Sequence, residues 1–269
     1  MASPLSRDVS PKEITVNQLS AKHFLIDMDG VIYRGDRMIP GADRFIANLK
    51  DLKRKFLFLT NASSRTPKEL QAKLSRLGIE VSVESFYTSA LATAAFLESQ
   101  NPSGRVYAVG EKGLIEALRE VGYKITEKSP DYVVLGQTED FSKLKKAVQL
   151  IAQGVPFIAT NPDITGPAEE GIEPAVGAIA AMIEKATGKS AYFIGKPNPL
   201  MMRKALQRLG VHSSETAIIG DRMDTDIMAG VETGLETILV LSGVTSREDI
   251  GKYAFRPNFM VPSVSQIRL

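Results

Sequence analysis

Short apolar runs alternate with helical patterns along this chain, and no other feature limits its fold so strongly. The first two runs, residues 23–26 and 55–59, both end in polar residues. After the second run, Thr66 is placed to cap a helix that has Pro67 in its first turn and leucines along one face. Because each such helix packs back onto its strand, the pattern predicts an α/β fold with a parallel sheet.

The same alternation continues to the end of the chain. Further strands are predicted near 105–109, 131–135, 156–160, 191–194, 217–220 and 237–241. Helices are predicted near 42–52, 88–99, 113–121, 141–153, 174–187, 199–209 and 225–233. Two short extended pieces around Gly35-Asp36 predict a hairpin beside the first strand. Residues 1–20 are expected to be a frayed N-terminal extension.

The residue types that are missing restrict the chemistry. The 269 residues include no cysteine and only two histidines, which excludes disulfides, thiolate nucleophiles and histidine-rich metal centres. The 31 acidic residues leave oxygen atoms as the ligands for a metal. Oxygen ligands indicate Mg²⁺, with Mn²⁺ as a substitute.

Charge and hydropathy indicate where the protein acts. A formal net charge of +2 provides no strong field for a nucleic-acid polymer or a membrane surface. No apolar run approaches the ~20 residues that span a bilayer. Residues 1–20 lack the apolar segment of a signal peptide. The chain is therefore expected to be cytoplasmic, and self-association is left open.

Polar residues follow four of the predicted strands. In a parallel sheet the carboxyl ends of the strands lie along one edge, where α/β proteins bind their ligands. Any one of these polar sites has an ordinary explanation as a strand end or a helix start. Four in succession favour a shared site for phosphoryl transfer, with a small phosphorylated metabolite as partner. The four are Asp27-Met28-Asp29-Gly30, Thr60-Asn61, Gly195-Lys196-Pro197 and segment 220–226 (Gly-Asp-Arg-Met-Asp-Thr-Asp).

The aspartates have different chemical uses. Asp27 is the better nucleophile, because a carboxylate can attack phosphorus and form an aspartyl phosphate. Asp29 can protonate the departing alkoxide and later deprotonate the attacking water. A magnesium ion needs about six oxygen ligands, and Asp27, Asp29 and Asp221 would supply some of them together with phosphate and water.

Other residues at these strand ends are suited to binding the phosphate. Thr60 and Asn61 offer hydrogen bonds to phosphoryl oxygens, and Lys196 would screen the repulsion between the anionic nucleophile and the anionic substrate. Asp226 is expected to support the metal ligands without binding the ion. The residues after Asp221 open the next predicted helix, where free N–H groups favour anions. They are Arg222, Met223, Asp224 and Thr225.

These motifs resemble those of the haloacid dehalogenase (HAD) superfamily. Within that superfamily, segments 59–64 (Leu-Thr-Asn-Ala-Ser-Ser) and 159–163 (Ala-Thr-Asn-Pro-Asp) are similar to the NagD-type phosphatases, which have a type-2 cap between the second and third motifs. The resemblance extends from about residue 21 to the C-terminus. Its four motifs match Asp27-Met28-Asp29-Gly30-Val31, Thr60, Lys196 and segment 220–226.

The resemblance implies both an architecture and an activity. It implies a Rossmann-like core at residues 21–81 and 188–269, with an inserted α/β cap domain at residues 82–187. It also implies a magnesium-dependent phosphatase that works through phospho-Asp27, with Asn161 and Asp163 binding substrate from the cap. NagD-type enzymes act on nucleoside monophosphates, so ribonucleoside 5′-monophosphates are the expected substrates. Broad hydrolysis of sugar or other small metabolite phosphates is the alternative.

A receiver domain of a signalling protein is the alternative of another class. Receivers also place acidic residues, a threonine and a lysine around a phosphorylated aspartate. Their acceptor normally lies on the third strand of a chain about half as long. The early position of Asp27 and the long insertion favour the enzyme, and repeated turnover of phosphate would distinguish the two.

Overall fold

The computed structural model describes residues 14–15, 19–167 and 171–269. Its strands are β1 Ile14–Thr15, β2 His23–Ile26, β3 Tyr33–Arg34, β4 Arg37–Met38, β5 Phe56–Thr60, β6 Phe86–Thr88, β7 Arg105–Val109, β8 Lys124–Ile125, β9 Tyr132–Leu135, β10 Phe157–Ala159, β11 Thr165–Pro167, β12 Ile172–Pro174, β13 Tyr192–Phe193, β14 Thr216–Gly220, β15 Glu236–Val240, β16 Phe259–Val261 and β17 Ile267–Arg268. Its α-helices are α1 Ala42–Asp51, α2 Pro67–Arg76, α3 Ser89–Gln100, α4 Lys112–Glu120, α5 Phe141–Ala152, α6 Val176–Thr187, α7 Pro199–Leu209 and α8 Met228–Thr233.

Six parallel strands form the larger sheet, in the order β16-β15-β14-β2-β5-β6. β2 is central, and Phe24 lies in register with Ala217 on one side and Phe56 on the other. Phe24 and Ile26 pack in one apolar cluster with α1 and α2, whereas Leu25 packs on the opposite face with α7 and α8. Helices thus cover both faces, which is why the three residues after His23 in this strand are all apolar. The predicted parallel α/β sheet is confirmed.

Five parallel strands form a second sheet, in the order β13-β10-β9-β7-β8. One face packs against α5 and α6 through residues such as Ile151 and Ile183. The other face packs against α3 and α4, through residues such as Val106 and Leu114, in the same apolar cluster that lies beneath Leu25 of the larger sheet. One continuous apolar layer therefore joins the two sheets.

The second sheet does not have the same limits as the insertion predicted at residues 82–187. β6 pairs with β5 in the larger sheet, and β13 pairs with β10 in the second sheet. The inserted unit, judged by its strand partners, therefore begins after Thr88 and extends to Phe193. Three- and two-residue strands carry too little periodicity to reveal which sheet they join. That this unit acts as a separate cap domain stays a prediction.

Two smaller features complete the fold. The predicted hairpin is present, with Tyr33 opposite Met38 in the β3-β4 pair. The predicted frayed extension is wrong for residues 14 and 15, because β1 pairs in parallel with β17 near the C-terminus. Residues 1–13 and 16–18 of that extension lie outside the described residues. Within the described ranges, the helices are too short or too polar to cross a bilayer.

The predicted cap of α2 is confirmed and fixes the segment that follows β5. The N–H of Glu69 donates to the hydroxyl of Thr66 at 3.2 Å, and the N–H of Thr66 donates to the Glu69 carboxylate at 2.8 Å. This reciprocal pair is a capping box, which satisfies N–H groups that a helix start leaves free. The segment between Thr60 and Thr66 is therefore held at both ends.

Candidate active site

The carboxyl ends of three adjacent strands place the first predicted residues side by side. Asp27 follows β2, and its N–H donates to the carbonyl of Ile219 in β14 at 2.8 Å. Thr60 is the last residue of β5, and Asp221 directly follows β14. All three predicted residues line a cavity of about 480 Å³. Their meeting is a direct result of the strand order β14-β2-β5.

Lys196 reaches the same cavity from the other sheet. It follows β13 of the second sheet, so the expectation that all four polar sites follow strands of one sheet is wrong for this residue. Its ammonium nevertheless lies 2.6 Å from Oδ1 of Asp27 and 2.7 Å from Oδ1 of Asp226, and it donates to the carbonyl of Leu59 at 3.0 Å. The side chain is 3% exposed, so these contacts form away from water.

The charges of this group stabilise one another. Burial alone would lower the pKa of Lys196, but the carboxylates of Asp226 and Asp27 outweigh that effect and raise the pKa, so the lysine stays charged. Burial raises the pKa of Asp27, and the Lys196 ammonium opposes this rise. The contact thus favours the anionic form of Asp27 that a nucleophile requires.

Three buried carboxylates meet around the position expected for a metal. Ligand oxygens of Asp27, Asp221 and Asp226 lie within 4.8 Å of one another. Burial and the negative charge of Asp226 raise the pKa of Asp221 to about 7. Lys196 is the only ammonium that forms an ion pair with this trio in the described chain. An excess of negative charge on oxygen ligands suits Mg²⁺ or Mn²⁺.

Two glycines let the backbone close tightly around Asp221. A Cβ atom on Gly243 would lie 1.9 Å from Oδ2 of Asp221, and one on Gly30 would lie 2.5 Å from the same atom. The N–H of Val244 donates to that oxygen at 2.7 Å. The backbone therefore confines the carboxylate of Asp221 and orients it through one hydrogen bond.

The three carboxylates that converge are not the three predicted metal ligands, and the predicted metal contact of Asp29 stays a prediction. The carboxylate of Asp29 is not part of the trio, and that of Asp226 is. Both oxygens of Asp226 already accept hydrogen bonds, from Lys196 at 2.7 Å and from the N–H of Arg222 at 3.2 Å. Asp27 and Asp221 each have an oxygen that accepts no hydrogen bond from the described residues, so they are the members of the trio best placed to bind a cation, with Asp226 in support as expected.

Asp29 lies on the cavity wall beside this trio. It is half-buried and forms an isolated bridge with Tyr33 at the start of the hairpin. Burial raises its pKa, while the positive charges of Lys73, Arg34 and Arg65 oppose the rise. A raised pKa keeps part of the carboxyl population protonated, which suits a general acid.

Thr60 and Asn61 differ in what they can offer to a phosphate. The Thr60 oxygen accepts from the N–H of Ala62 at 3.1 Å, which leaves its hydroxyl proton free for a phosphoryl oxygen. The Asn61 amide is fully used, because its oxygen accepts from the N–H of Lys196 and its nitrogen donates to the Lys196 carbonyl and to Asp163. The Asn61 side chain therefore holds Lys196, and its contact with the phosphate stays a prediction.

The two predicted cap residues meet Asn61 at this point. The side-chain nitrogen of Asn161 donates to the Asn61 carbonyl at 2.8 Å, and its oxygen accepts from the N–H of Asp163. Burial raises the pKa of Asp163, and the charges of Arg222 and Lys196 oppose this rise. Both residues line the cavity, and both also connect the ends of β5 and β10.

Two of the four N–H groups expected to bind an anion in the segment after Asp221 already have acceptors. It begins with a π-helical turn at Met223–Ile227, and the N–H groups of Arg222 and Met223 already donate to Asp226 and Thr245. The Met223 side chain is buried in an apolar cluster, and its N–H is already used, so its phosphate contact stays a prediction without support from this geometry. The Arg222 guanidinium binds the Asp224 carboxylate at 2.9 and 3.1 Å. Of the four predicted residues, Arg222 and Thr225 line the cavity.

Several cavity residues were not predicted from the sequence. Arg34 comes from the hairpin, Arg65 from the segment before α2, and Lys73 from the face of α2. None of them follows a strand, so no sequence pattern marks them. The one available signal is that Arg65 lies five residues after Thr60, within the segment that any phosphate site at the end of β5 would include.

Family models match both ends of the chain. The model described as haloacid dehalogenase-like hydrolase matches residues 24–124, and the model described as HAD-hydrolase-like matches residues 193–267. Dihydroxyacetone phosphatase of Corynebacterium glutamicum (strain R) is 48% identical over 91% of this chain and 90% of its own length. Acid sugar phosphatase of Staphylococcus aureus (strain USA300) is 41% identical over 91% of this chain and 96% of its own.

The fold and the sequence also match a solved relative. Ribonucleotide monophosphatase NagD of Escherichia coli (strain K12) is 42% identical over 93% of this chain and 99% of its own length. The structure of NagD superposes with a TM-score of 0.87 over the same shares of the two chains. The chain therefore belongs to the haloacid dehalogenase-like hydrolases and is a phosphatase of the NagD type.

Proposed function

We propose that this phosphatase hydrolyses monophosphate esters of small metabolites, with Mg²⁺ as cofactor and a phospho-aspartate on Asp27 as intermediate. The observation that carries the proposal is the buried contact of 2.6 Å between the Lys196 ammonium and the Asp27 carboxylate, at the wall of the cavity. The relatives named above are phosphatases of dihydroxyacetone phosphate, ribonucleotides and sugars. Their common chemistry is the release of phosphate from a small molecule.

Each residue of the site has its own role in the proposed reaction. A carboxylate oxygen of Asp27 forms a bond to phosphorus as the ester P–O bond breaks, and Asp29 gives its proton to the departing alkoxide. Asp29, now a carboxylate, takes a proton from water, and that water attacks phosphorus and displaces the Asp27 oxygen. Lys196 stays charged throughout and screens the two anions. Mg²⁺, held by Asp27 and Asp221, would supply further positive charge to the phosphoryl oxygens.

The cavity fits a small polar alcohol better than a nucleobase. A nucleobase is usually bound by stacking on an aromatic ring. Tyr33 is the one aromatic side chain among the described residues that line the cavity, and the Lys73 ammonium lies 3.8 Å from the centre of its ring. Hydrolysis of ribonucleoside 5′-monophosphates stays a prediction. Phosphate esters the size of a sugar phosphate fit better in a cavity with so little aromatic surface.

Chelation tests the metal requirement. Treatment with EDTA is expected to reduce p-nitrophenyl phosphate hydrolysis by about a hundredfold or more, because three crowded carboxylates then repel the substrate. Added Mg²⁺ or Mn²⁺ should restore the rate, and Mg²⁺ should raise the unfolding temperature, since a ligand that binds only the folded state stabilises it. Full activity in EDTA would contradict the proposal. Initial rates for dihydroxyacetone, sugar and ribonucleoside phosphates then rank the substrates.

An Asp29→Asn variant tests the proton transfer. It is expected to lose about a hundredfold or more in kcat with an alkyl phosphate, because the alkoxide would leave without a proton. The loss with p-nitrophenyl phosphate should be much smaller, since nitrophenolate is a stable leaving group. Steady-state rates on both esters give the comparison. Equal losses on the two would remove Asp29 from the role of acid.

A further inference from the structure

Three cations lie on the cavity wall and have been given no contact with the substrate so far. Lys73, Arg65 and Arg34, here called the cation cluster, all line the cavity. Asp29 forms a bridge with Tyr33, Arg34 directly follows Tyr33, and the Lys73 ammonium lies 3.8 Å from the centre of the Tyr33 ring. The cation cluster therefore lies at the Asp29 end of the cavity, where the leaving alcohol would be.

Lys73 is nearly buried and yet lacks a hydrogen-bond acceptor. Its side chain is 7% exposed, and within the described part of the chain its ammonium makes no hydrogen bond. The closest carboxylate oxygen belongs to Asp36, at 3.8 Å, and that side chain is 97% exposed to water. The other contact is the Tyr33 ring, 3.8 Å from the ammonium to the ring centre. No buried side-chain nitrogen among the described residues lacks a partner, so the Lys73 ammonium reaches the water of the cavity, and an anion bound there would replace that water as its partner.

The two arginines have no ion-pair partner among the described residues. Arg65 and Arg34 are exposed, and neither guanidinium forms an ion pair or a hydrogen bond with the residues that the structure describes. Burial lowers the pKa of Lys73, and the charge of Arg65 lowers it further, so these two cations lie close enough to repel each other. An anion bound between them would relieve that repulsion and give Lys73 its acceptor.

We propose that the cation cluster binds a second anionic group on the alcohol part of the substrate. The preferred substrates would then be phosphate esters that carry a carboxylate or a second phosphoryl group, over esters of neutral alcohols. Guanidinium and ammonium groups bind such oxygens through short, charge-assisted hydrogen bonds. This inference rests on the proposed function, because the role of Asp29 as proton donor is what places the leaving alcohol beside these cations.

A pair of esters of equal size tests the proposal. 3-Phosphoglycerate has a carboxylate where glycerol 3-phosphate has a neutral hydroxymethyl group. With Mg²⁺ present, kcat/KM is expected to favour 3-phosphoglycerate by about tenfold or more, the effect of a charged hydrogen bond or two. The second pair is propane-1,3-diol bisphosphate and 3-hydroxypropyl phosphate. Their kcat/KM ratio shows whether a phosphoryl group can serve as the second anion.

Variants of the cation cluster connect the preference to these residues. Lys73→Met, Arg65→Gln and Arg34→Gln are each expected to bring the kcat/KM ratio of the anionic to the neutral ester closer to one, mainly through KM. Arg65 and Arg34 are exposed, so their variants should fold even if Lys73→Met does not. Lys68→Met is the control, because Lys68 is exposed on the same helix and does not line the cavity. It should leave the ratio unchanged.

The outcomes separate this proposal from the one on which it rests. A wild-type protein that hydrolyses p-nitrophenyl phosphate but shows no preference within either ester pair overturns the anion site and leaves the proposed function standing. A preference that survives in all three variants also overturns it. Calorimetric titration of 3-phosphoglycerate and glycerol 3-phosphate into an Asp27→Asn variant measures the same preference as a ratio of Kd values without turnover. A ratio near one there contradicts the proposal even if hydrolysis fails for another reason.

Discussion

Replacing Asp27 by asparagine is expected to slow p-nitrophenyl phosphate hydrolysis by about 10⁴-fold or more, because an amide cannot attack phosphorus. The fold should survive the change. An asparagine oxygen can still accept from the Lys196 ammonium, which lies 2.6 Å from Oδ1 of Asp27. Initial rates of nitrophenolate release at saturating Mg²⁺ measure the loss, and circular dichroism checks the fold.

A second measurement examines the covalent step itself. Acid quenching of the wild-type reaction with ³²P-labelled substrate should trap protein-bound phosphate, and the Asp27→Asn variant should trap none. Asp43→Asn is the matched control, since Asp43 is exposed in the first turn of α1 and should keep full activity and labelling. Substantial activity in the Asp27 variant, in a preparation free of contaminating phosphatase, would contradict the nucleophile assignment.

The parts of the site that the sequence predicts well depend on strand ends. A parallel sheet brings the residues after its strands to one edge, so Asp27, Thr60 and Asp221 could be grouped once β2, β5 and β14 were recognised. Those strands are short, mostly apolar runs that are buried on both faces, and such runs are visible in a sequence. The capping box at Thr66 is visible for a similar reason, because its signal is entirely local.

The remaining parts depend on contacts between distant segments. Lys196 comes from the second sheet, and nothing in its neighbourhood shows that β13 pairs with β10. In the sequence, Asn61 is placed to donate a hydrogen bond to the phosphate. In the structure, its side-chain amide is hydrogen-bonded to Lys196 and Asp163. The backbone N–H of Met223 occupies a position typical of anion binding, whereas its side chain is buried among apolar side chains. Which side chains are buried, and which have all their hydrogen bonds made, depends on the folded chain and cannot be read from the local sequence.

Lys196 carries the second large effect, because it is the buried counter-ion of two carboxylates. A Lys196→Met variant would keep most of the side-chain volume and leave Asp27 and Asp226 without a positive partner. Removing one member of a buried ion pair costs about 3 kcal/mol or more. We expect the free energy of unfolding, measured in urea without metal, to fall by about that amount. Activity should fall by about a hundredfold or more, since the charge that screens nucleophile and phosphate is lost.

Adding Mg²⁺ shows whether the loss comes from charge or from packing. A divalent cation between Asp27 and Asp221 would neutralise part of the negative charge that Lys196 leaves behind, so the stability deficit of Lys196→Met should be smaller with Mg²⁺ than without it. A packing defect would not respond to the metal. Lys204→Met is the matched control, because Lys204 is exposed on α7 and its replacement should change stability by about 0.5 kcal/mol at most. An unchanged free energy of unfolding in Lys196→Met would show that the carboxylates do not depend on this ammonium.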